Sequence, residues 1–381
     1  MRIIWQEYKL LDKSTNHSTE TETIKHIQNN GHDIRYYCSY KYKKVYFGLD
    51  KNTIRYFDLP KLKIIRSIIF LFKIFSFNIY LALFLKPNVV ILDYIILLVS
   101  WPLVLFSKIL AKSTKYILDI RTVPVNKEMF RVEFKIFQLS FKIACKLCNG
   151  ISFITPFMKD FLIMNVKQTN LPTVIWSSGF NERLFEPKEV FKRMNDFVIF
   201  YHGGLSVSRG ILEMMKATKY LKEDGLPVKL KLIGNIVDKA ELYDFVRENK
   251  MEEYCKILAP VEIEKIPDLI ASCDLPVIPL SNFIGWRVSS PLKLMEYLAM
   301  GKCIVVTDIE AHRDIMGSMP FAFYAKSEKA EDLKEAIELA YRNKHKFKEY
   351  GELARKFALE KYTWKIQANN LINFLDNINH E

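Results

Sequence analysis

SSPLKLMEYLAMGKCIVVTD, residues 289–308, is the stretch that decides the fold. Its Ser-Ser-Pro turn is typical of a helix start, and we expect Ser289 or Ser290 to cap the helix that follows. Gly301 predicts the end of that helix, because glycine readily adopts the left-handed conformation that closes helices. The apolar run after it is typical of a buried parallel strand. A helix followed by a buried strand is the repeating unit of an α/β fold.

The same alternation continues outward from this stretch. Earlier in the second half of the chain, four segments are typical of strands: DFVIFYHGG, KLKLIGN, CKILAP and LPVIPL. The first half contains the strand candidates Ile3–Trp5, HDIRYY, NVVILDY, KYILDI, ISFITP and TVIWSSG, with KVYFG and TIRYF as shorter ones. Strands that alternate with helices predict two doubly wound parallel sheets.

Two Rossmann-like domains that face each other across a cleft are therefore the predicted architecture. The polar stretch NERLFEPKEVFKRMND predicts the linker between them. We place the first domain at residues 1–186 and the second at 187–362. Residues 363–381 contain the periodic segment TWKIQANNLINFLDNI, which predicts a terminal helix that packs back toward the first domain.

Composition excludes several classes of protein. A chain of 381 residues with 50% apolar residues, 13 Gly and 14 Pro is neither disordered nor collagen-like. Six irregularly spaced cysteines favour free thiols in a reducing compartment, and we interpret Cys145-x-x-Cys148 as core residues. The opening MRIIWQEYKL enters a strand pattern at once, so we expect no signal peptide and a cytoplasmic location.

The net charge of +13 is concentrated in the first half of the chain. Residues 1–185 hold 27 Lys and Arg against 13 Asp and Glu, whereas residues 186–381 hold 29 against 30. Between Leu59 and Leu118, eight basic residues and one acid, Asp93, interrupt runs such as SIIFLFKIFSFNIYLALFL. Basic residues among Phe, Ile and Leu favour an anionic membrane surface over duplex DNA.

Peripheral attachment to the inner face of the cell membrane is the prediction from this pattern, and no nucleic-acid partner is expected. Residues 67–85 are also just long enough to span a bilayer, although Lys73 and Asn78 fall inside them. For residues 95–110, a buried helix remains an equal alternative.

A candidate anion site follows the first strand of the second half. Gly203-Gly204 comes directly after that strand, and Arg209-Gly210 opens the next helix. Glycines allow a ligand close to the backbone, the helix start offers free N–H groups, and an arginine adds a fork of donors. A tight turn without a ligand is the alternative interpretation.

Lys293 and Glu296 form a second candidate pair. They are three residues apart and so share one helix face. A cation near a helix start with a carboxylate one turn later suits a ligand with a phosphate and vicinal hydroxyls. The alternative is a surface ion pair, which contributes little stability.

Together these motifs resemble the GT-B glycosyltransferases of the large retaining family 4, also called glycosyl transferases group 1. Strand-GG-turn-RG-helix at 197–216, CDLPVIP at 273–279 and SPLKLMEYLAMGKCIVV at 290–306 stand in the family's order and spacing. GHDI, KPNVVI, YILDIR and SSGFNERLFEP carry a looser resemblance in the first domain. The resemblance implies a second domain that binds a nucleotide-diphosphate sugar and a first domain that binds the acceptor. The sugar is transferred, with retention, to a hydroxyl of a glycan or lipid-linked acceptor, as in polysaccharide or glycolipid biosynthesis.

Site residues also follow from the resemblance, with no metal and no cofactor other than the nucleotide sugar. Arg209 and Lys293 match the basic catalytic positions that hold the donor diphosphate, Glu296 matches the ribose-binding glutamate, and the backbone at Pro260–Val261 lies where the base is held. The donor-binding positions are Gly203, Gly204, Ser290, Pro291, Leu292, Glu296 and Val261. Acceptor or sugar contacts are expected from His17, Arg121 and His312.

Three departures from the family pattern accompany the resemblance. Val288 stands where the family has the first of two glutamates, Arg121 stands near the position of a family histidine, and Ser14–Thr19 replaces a glycine-rich loop. An inverting GT-B transferase or a nucleotide-sugar epimerase is the first alternative. A non-catalytic protein of the same fold that binds membranes or nucleic acid is the alternative of another class.

Overall fold

A computed structural model describes residues 1–11, 17–40, 44, 46–60, 63–110, 113–124, 130–166, 170–188 and 196–380. It divides the chain into two compact units: unit 1, Met1–Ser177 with Trp364–Glu381, and unit 2, Ser178–Thr363. This division falls before the expected boundary at residues 186 and 187, because Ser178 and Phe180 bond to Ser290 and Tyr362 of unit 2. Residues 189–195 of the expected linker lie outside the described residues.

Each unit is built on one parallel sheet. The strands of unit 1 are β1 (Arg2–Leu11), β2 (Asp33–Tyr40), β3 (Ile54–Tyr56), β4 (Val89–Leu92), β5 (Lys115–Ile120), β6 (Gly150–Phe153) and β7 (Thr173–Ile175). Those of unit 2 are β8 (Phe197–His202), β9 (Val228–Ile233), β10 (Cys255–Leu258), β11 (Leu275–Ile278), β12 (Ile304–Thr307) and β13 (Ala322–Ala325). The orders are β3-β2-β1-β4-β5-β6-β7 and β10-β9-β8-β11-β12-β13. Both orders reverse direction at the first strand of the unit, so the predicted α/β class with two Rossmann-like sheets is confirmed.

Helices connect the strands in both units. In chain order they are α1 (Ser18–Asn29), α2 (Lys63–Tyr80), α3 (Tyr94–Ile109), α4 (Phe130–Leu147), α5 (Pro156–Val166), α6 (Ile211–Glu223), α7 (Lys239–Glu248), α8 (Ile266–Ala271), α9 (Ile284–Arg287), α10 (Leu292–Ala299), α11 (Glu310–Met316), α12 (Ala330–Arg342), α13 (Phe347–Lys361) and α14 (Trp364–His380). A π-helical segment, Leu81–Leu85, extends α2.

Two strand predictions differ from the structure. At its described residues, KVYFG forms no strand. The sequence analysis also missed β13, which pairs with β12 along its whole length. Its sequence, AFYA, lacks the β-branched residues that mark the other buried strands.

The terminal helix α14 belongs to unit 1, where it packs against α1 and β7. Leu371, Leu375 and Ile378 are buried in this contact. Gly150 in β6 makes room for the helix, because a Cβ there would lie 2.6 Å from the Cδ1 of Ile378.

α2 contacts the rest of unit 1 through one side only. Phe70, Ile74 and Asn78 are buried on that side. The Asn78 amide accepts a 2.8 Å hydrogen bond from Gln6 and donates one of 2.7 Å to Ser100. Among the described residues, Ile65–Leu85 is the one segment long and apolar enough to cross a membrane, and 28% of that window is buried.

Candidate functional site

A glycine turn at the carboxyl end of β8 brings two basic side chains together. Gly203 has a φ of +122°, and a Cβ there would lie 3.1 Å from the Nζ of Lys293. At the next residue, Gly204, a Cβ would lie 3.3 Å from the Nε of Arg209. The structure therefore places these four predicted site residues around one turn, with both cations against its backbone.

Gly234, directly after β9, packs against the backbone of this turn. Its φ is +147°, and a Cβ there would lie 1.8 Å from the carbonyl oxygen of Gly203. Only glycine fits this approach of backbone to backbone. The sequence analysis did not single out Gly234, although a glycine directly after a strand marks such a position.

A tyrosine holds the ammonium of Lys293 in place. Nζ donates a 3.1 Å hydrogen bond to the Tyr201 hydroxyl, which donates to the carbonyl oxygen of Gly204 at 3.2 Å. An ammonium has three N–H donors, and Tyr201 accepts one of them. Lys293 can therefore also donate to an anion at the turn.

The guanidinium of Arg209 is held by an aromatic ring and a fixed backbone turn. Its Cζ lies 4.6 Å from the centroid of the Trp286 ring, a cation–π contact. The next residue, Gly210, has a φ of +77°, and a Cβ there would lie 2.0 Å from the carbonyl oxygen of Pro279. Only glycine fits here, and this fixes where α6 begins.

Glu296 bonds to a histidine rather than to Lys293. Its Oε2 lies 2.7 Å from the Nε2 of His202, whose Nδ1 lies 3.0 Å from the Tyr297 hydroxyl. Burial raises the pKa of Tyr297 well above its usual value, so this hydroxyl keeps its proton. Glu296 is therefore a buried carboxylate whose orientation His202 fixes, and it does not form the surface ion pair with Lys293 that was the alternative from the sequence. His202 was missed, although its place at a strand end before two glycines is a usable signal.

The start of α10 differs from the prediction. Its N-cap residue is Pro291, which has no capping side chain. The predicted serine cap is wrong because both serines bond elsewhere: Ser289 donates to the carbonyl oxygen of Trp286 at 2.7 Å, and Ser290 accepts from the Ser178 N–H at 3.2 Å. The first N–H groups of a helix have no partner within it, so those of Leu292 and Lys293 are further donors at the start of α10.

The structure also describes Val261 and Val288, two further positions considered from the sequence. Val261 is 38% exposed in the loop after β10. The Gly234 N–H donates to the carbonyl oxygen of Leu258 at 3.0 Å, so this loop leaves the same sheet edge as the glycine turn. Val288 is fully buried, so an apolar side chain occupies the position where the resemblance implies a glutamate.

His312 lies in α11, in unit 2, and is fully buried. Its Nδ1 donates to the carbonyl oxygen of Thr307 at 2.7 Å. Burial lowers the pKa of His312 to about 4, so the ring is neutral at physiological pH.

His17 and Arg121 lie in unit 1. The Arg121 guanidinium lies 3.7 Å from the centroid of the Trp176 ring and donates to the carbonyl oxygens of Trp176 and Ser177. His17 precedes α1, with its ring centroid 5.1 Å from that of Phe47. Residues 14–16 of the loop Ser14–Thr19 lie outside the described residues. Within the described ranges, no group of three or more His, Cys, Asp or Glu could hold a metal ion.

Comparison with known proteins identifies the second unit. Residues 182–357 match the family model of the glycosyl transferases group 1. An uncharacterized glycosyltransferase of Methanocaldococcus jannaschii is 24% identical over 236 residues, which are 59% of this chain and 57% of that relative. The match therefore spans little more than half the length of the relative.

Solved structures resemble the whole chain. Sucrose-phosphate synthase from Thermosynechococcus elongatus has a TM-score of 0.79 at 13% identity, covering 99% of this chain and 98% of that chain. Anabaena HepE, solved in complex with UDP, has a TM-score of 0.76 at 13% identity, covering 99% and 100%. The pneumococcal O-GlcNAc transferase GtfA has a TM-score of 0.72 at 8% identity, covering 100% and 99%. Residues 182–357 therefore match the glycosyl transferases group 1, and the whole chain has the GT-B fold of these solved structures.

Proposed function

We propose that this protein is a glycosyltransferase that takes its sugar from a nucleoside-diphosphate donor, and that the diphosphate lies on the Gly203-Gly204 turn. One observation carries the proposal: Lys293, in the first turn of α10, and Arg209 rest against the consecutive glycines that follow β8. As the bond to the sugar breaks, negative charge grows on the leaving diphosphate. Two fixed cations and free helix N–H groups stabilise that charge without reorganising.

Names of the structural neighbours support this donor class. HepE was solved with UDP and with UDP-glucose, GtfA with UDP and GlcNAc, and starch synthase IV of Arabidopsis thaliana with ADP and acarbose. Glu296, held by His202, would accept hydrogen bonds from the ribose hydroxyls. We propose transfer with retention, which NMR of the product's anomeric proton distinguishes from inversion.

The acceptor hydroxyl is proposed to belong to a glycan or a lipid-linked molecule bound by unit 1 at a membrane surface. Large apolar side chains project outward from α2, the π-helical segment and α3. The most relevant are Ile68, Phe72, Phe84, Trp101, Phe106 and Ile109. Large apolar side chains exposed on helical segments that pack against one another are typical of an interaction site.

Charge supports an anionic bilayer as the partner. Residues 59–118 hold eight basic residues, of which Lys61 and Lys112 lie outside the described residues. Their one acid, Asp93, accepts from the Ile96 N–H and so caps α3. The buried amide of Asn78 ties α2 to β1 and α3, which favours attachment in the plane of the membrane over a span.

A thermal-shift panel of nucleoside diphosphates tests the donor site. A ligand at a hundred times its Kd stabilises the native state by about 2.7 kcal/mol, so the matching nucleotide raises the melting temperature of the wild type. Lys293→Ala should remove this shift. Lys344→Ala is the matched control. Lys344 lies against Tyr341, which packs on Phe197 at the start of β8, whereas the glycine turn follows the end of that strand.

A full shift in Lys293→Ala would show that the diphosphate binds elsewhere. If no nucleoside diphosphate or nucleotide sugar shifts the wild type, the donor proposal itself is wrong.

Vesicle co-sedimentation tests the membrane proposal. The double variant Phe72→Ser/Phe84→Ser removes side chains that are 70% and 71% exposed, so folding should be unaffected. Burying each ring in lipid contributes about 1.5–3 kcal/mol, so binding to phosphatidylserine vesicles should fall by tenfold or more. The control Leu339→Ser/Leu353→Ser changes exposed apolar residues of unit 2 and should bind like the wild type.

Equal vesicle binding by the two double variants would show that the exposed apolar side chains of α2 and the π-helical segment do not bind the membrane. Retention of the wild type in membranes through an alkaline carbonate wash would overturn in-plane attachment and indicate a span.

A further inference from the structure

Three buried polar atoms of unit 2 have no hydrogen-bond partner among the described residues. They are the Oγ of Ser281, the Nε1 of Trp286 and the Nε2 of His312. A buried polar group without a partner destabilises the folded protein, so native structures rarely keep one without a reason. Three such atoms on neighbouring elements mark a place for bound water or a polar ligand.

Ser281 and His312 lie on either side of Thr307, the last residue of β12. The Thr307 hydroxyl donates to the carbonyl oxygen of Leu280, next to Ser281, at 2.7 Å. The Thr307 carbonyl oxygen accepts from the Nδ1 of His312, also at 2.7 Å. Thr307 therefore fixes the ring of His312 and the backbone next to Ser281 at the carboxyl end of β12, where ligands of such sheets bind.

Trp286 joins this cluster to the phosphate turn. It lies in α9, which an ion pair between Arg287 and Glu310 fastens to the start of α11, with Nε and Oε2 2.7 Å apart. The face of its ring contacts the Arg209 guanidinium. The cluster thus lies next to the groups proposed to hold the donor diphosphate.

The three atoms have complementary hydrogen-bonding roles. Because the Nδ1 of His312 donates to Thr307, the neutral ring offers a lone pair on Nε2 and accepts there. The indole N–H of Trp286 only donates, and the Ser281 hydroxyl does both. A phosphate or carboxylate has no proton to give to Nε2. A sugar, whose hydroxyls both donate and accept, fits all three.

We propose that Ser281, Trp286 and His312 recognise the hydroxyls of the donor's sugar. Val288 leaves the usual position for such a contact apolar, and these three side chains supply polar groups from other loops. This inference rests on the proposed donor site and adds the part of the ligand beyond the diphosphate.

Three variants test the subsite one atom at a time. His312→Asn keeps a donor for Thr307 but removes Nε2. Trp286→Phe keeps a ring beside Arg209 but removes the N–H, and Ser281→Ala removes the hydroxyl. Titration calorimetry then compares each variant's Kd for the nucleoside diphosphate and the nucleotide sugar that shift the wild type most.

His312→Asn and Ser281→Ala should each weaken binding of the nucleotide sugar about fivefold, the value of one hydrogen bond, and change binding of the nucleoside diphosphate less than twofold. Trp286 also contacts Arg209, so Trp286→Phe should weaken binding of both ligands, and of the nucleotide sugar about fivefold more. Equal losses for both ligands, or none for either, would overturn the subsite while leaving the donor site intact. If the wild type binds neither ligand, the donor site is wrong and the subsite falls with it. Urea unfolding of each variant checks that the fold is retained.

Discussion

The carboxyl edges of the two sheets carry opposite chemistry. In unit 2 the edge consists of glycine turns at Gly203 and Gly234 with Lys293 and Arg209 against the backbone. In unit 1 the equivalent edge carries buried acids, and the bases Lys9 and Arg121 lie among them. The same strand-helix topology therefore gives a cationic glycine turn in unit 2, where the diphosphate is proposed to bind, and a buried edge of paired polar groups in unit 1.

The acidic edge of unit 1 is buried and closely paired. Glu7 accepts a 2.6 Å hydrogen bond from the Tyr36 hydroxyl, and Glu20 pairs with Lys9. The Oδ1 of Asp119 accepts from the Trp176 indole at 3.0 Å. Burial, and then the charge of Glu20, raise the pKa of Glu7 to about 8. This edge therefore holds a proton on Glu7 at neutral pH.

The largest effect is expected from a substitution that breaks the glycine edge of unit 2. In Gly234→Ala the new methyl would lie 1.8 Å from the Gly203 carbonyl oxygen, so the backbone of both turns must shift. We expect a loss of about 3–5 kcal/mol in the free energy of unfolding. Urea unfolding measures this loss, and binding of nucleoside diphosphate should disappear with it.

Gly225→Ala is the matched control for that substitution. Gly225 also has a positive φ, +84°, but a Cβ there meets nothing within 4 Å. It should therefore lose only the about 1–2 kcal/mol of the left-handed conformation and keep nucleotide binding. Equal losses in the two variants would mean that close backbone approach is not what shapes the turn.

The glycine edge was largely predictable because its signals are local. Gly203-Gly204 follows a strand, Arg209 opens a helix, and the stretch at 289–308 carries Lys293 and Glu296. Their order along the chain, together with parallel topology, is enough to bring them to one edge. The serine cap was wrong because a tertiary contact with Ser178 competes for Ser290, and propensity does not describe that contact.

The acidic edge could not be predicted in the same way. Glu7 lies in the second half of β1, beyond Gln6, the last residue that pairs with β4. Its environment depends on Glu20 and Asp119, and nothing in the sequence shows that these three carboxyl groups come close together. The same holds for the three unpartnered atoms of unit 2, since burial without a partner is a property of packing and not of sequence.

A smaller effect is expected in unit 1, where the buried proton of Glu7 makes stability depend on pH. The pKa of Glu7 is about 8 in the folded chain, against 4.5 without a folded environment. Between these values the folded state holds a proton that the unfolded state has lost, so the stability of unit 1 falls as pH rises. Glu7→Gln mimics the protonated carboxyl and still accepts from Tyr36, so it should remove this fall.

Melting curves at pH 5 and pH 8 measure the difference. Tryptophan fluorescence reports mainly on unit 1, which holds Trp5, Trp101, Trp176 and Trp364. We expect Glu7→Gln to melt with the wild type at pH 5 and at least about 2 °C above it at pH 8. Asp33 is a half-exposed carboxyl at the start of β2, and Asp33→Asn should change the melting temperature by the same amount at pH 5 and at pH 8. An equal gap at both pH values, or none at either, would mean that the folded state keeps no proton on Glu7 that the unfolded state has lost, and the buried proton that distinguishes the edge of unit 1 would be absent.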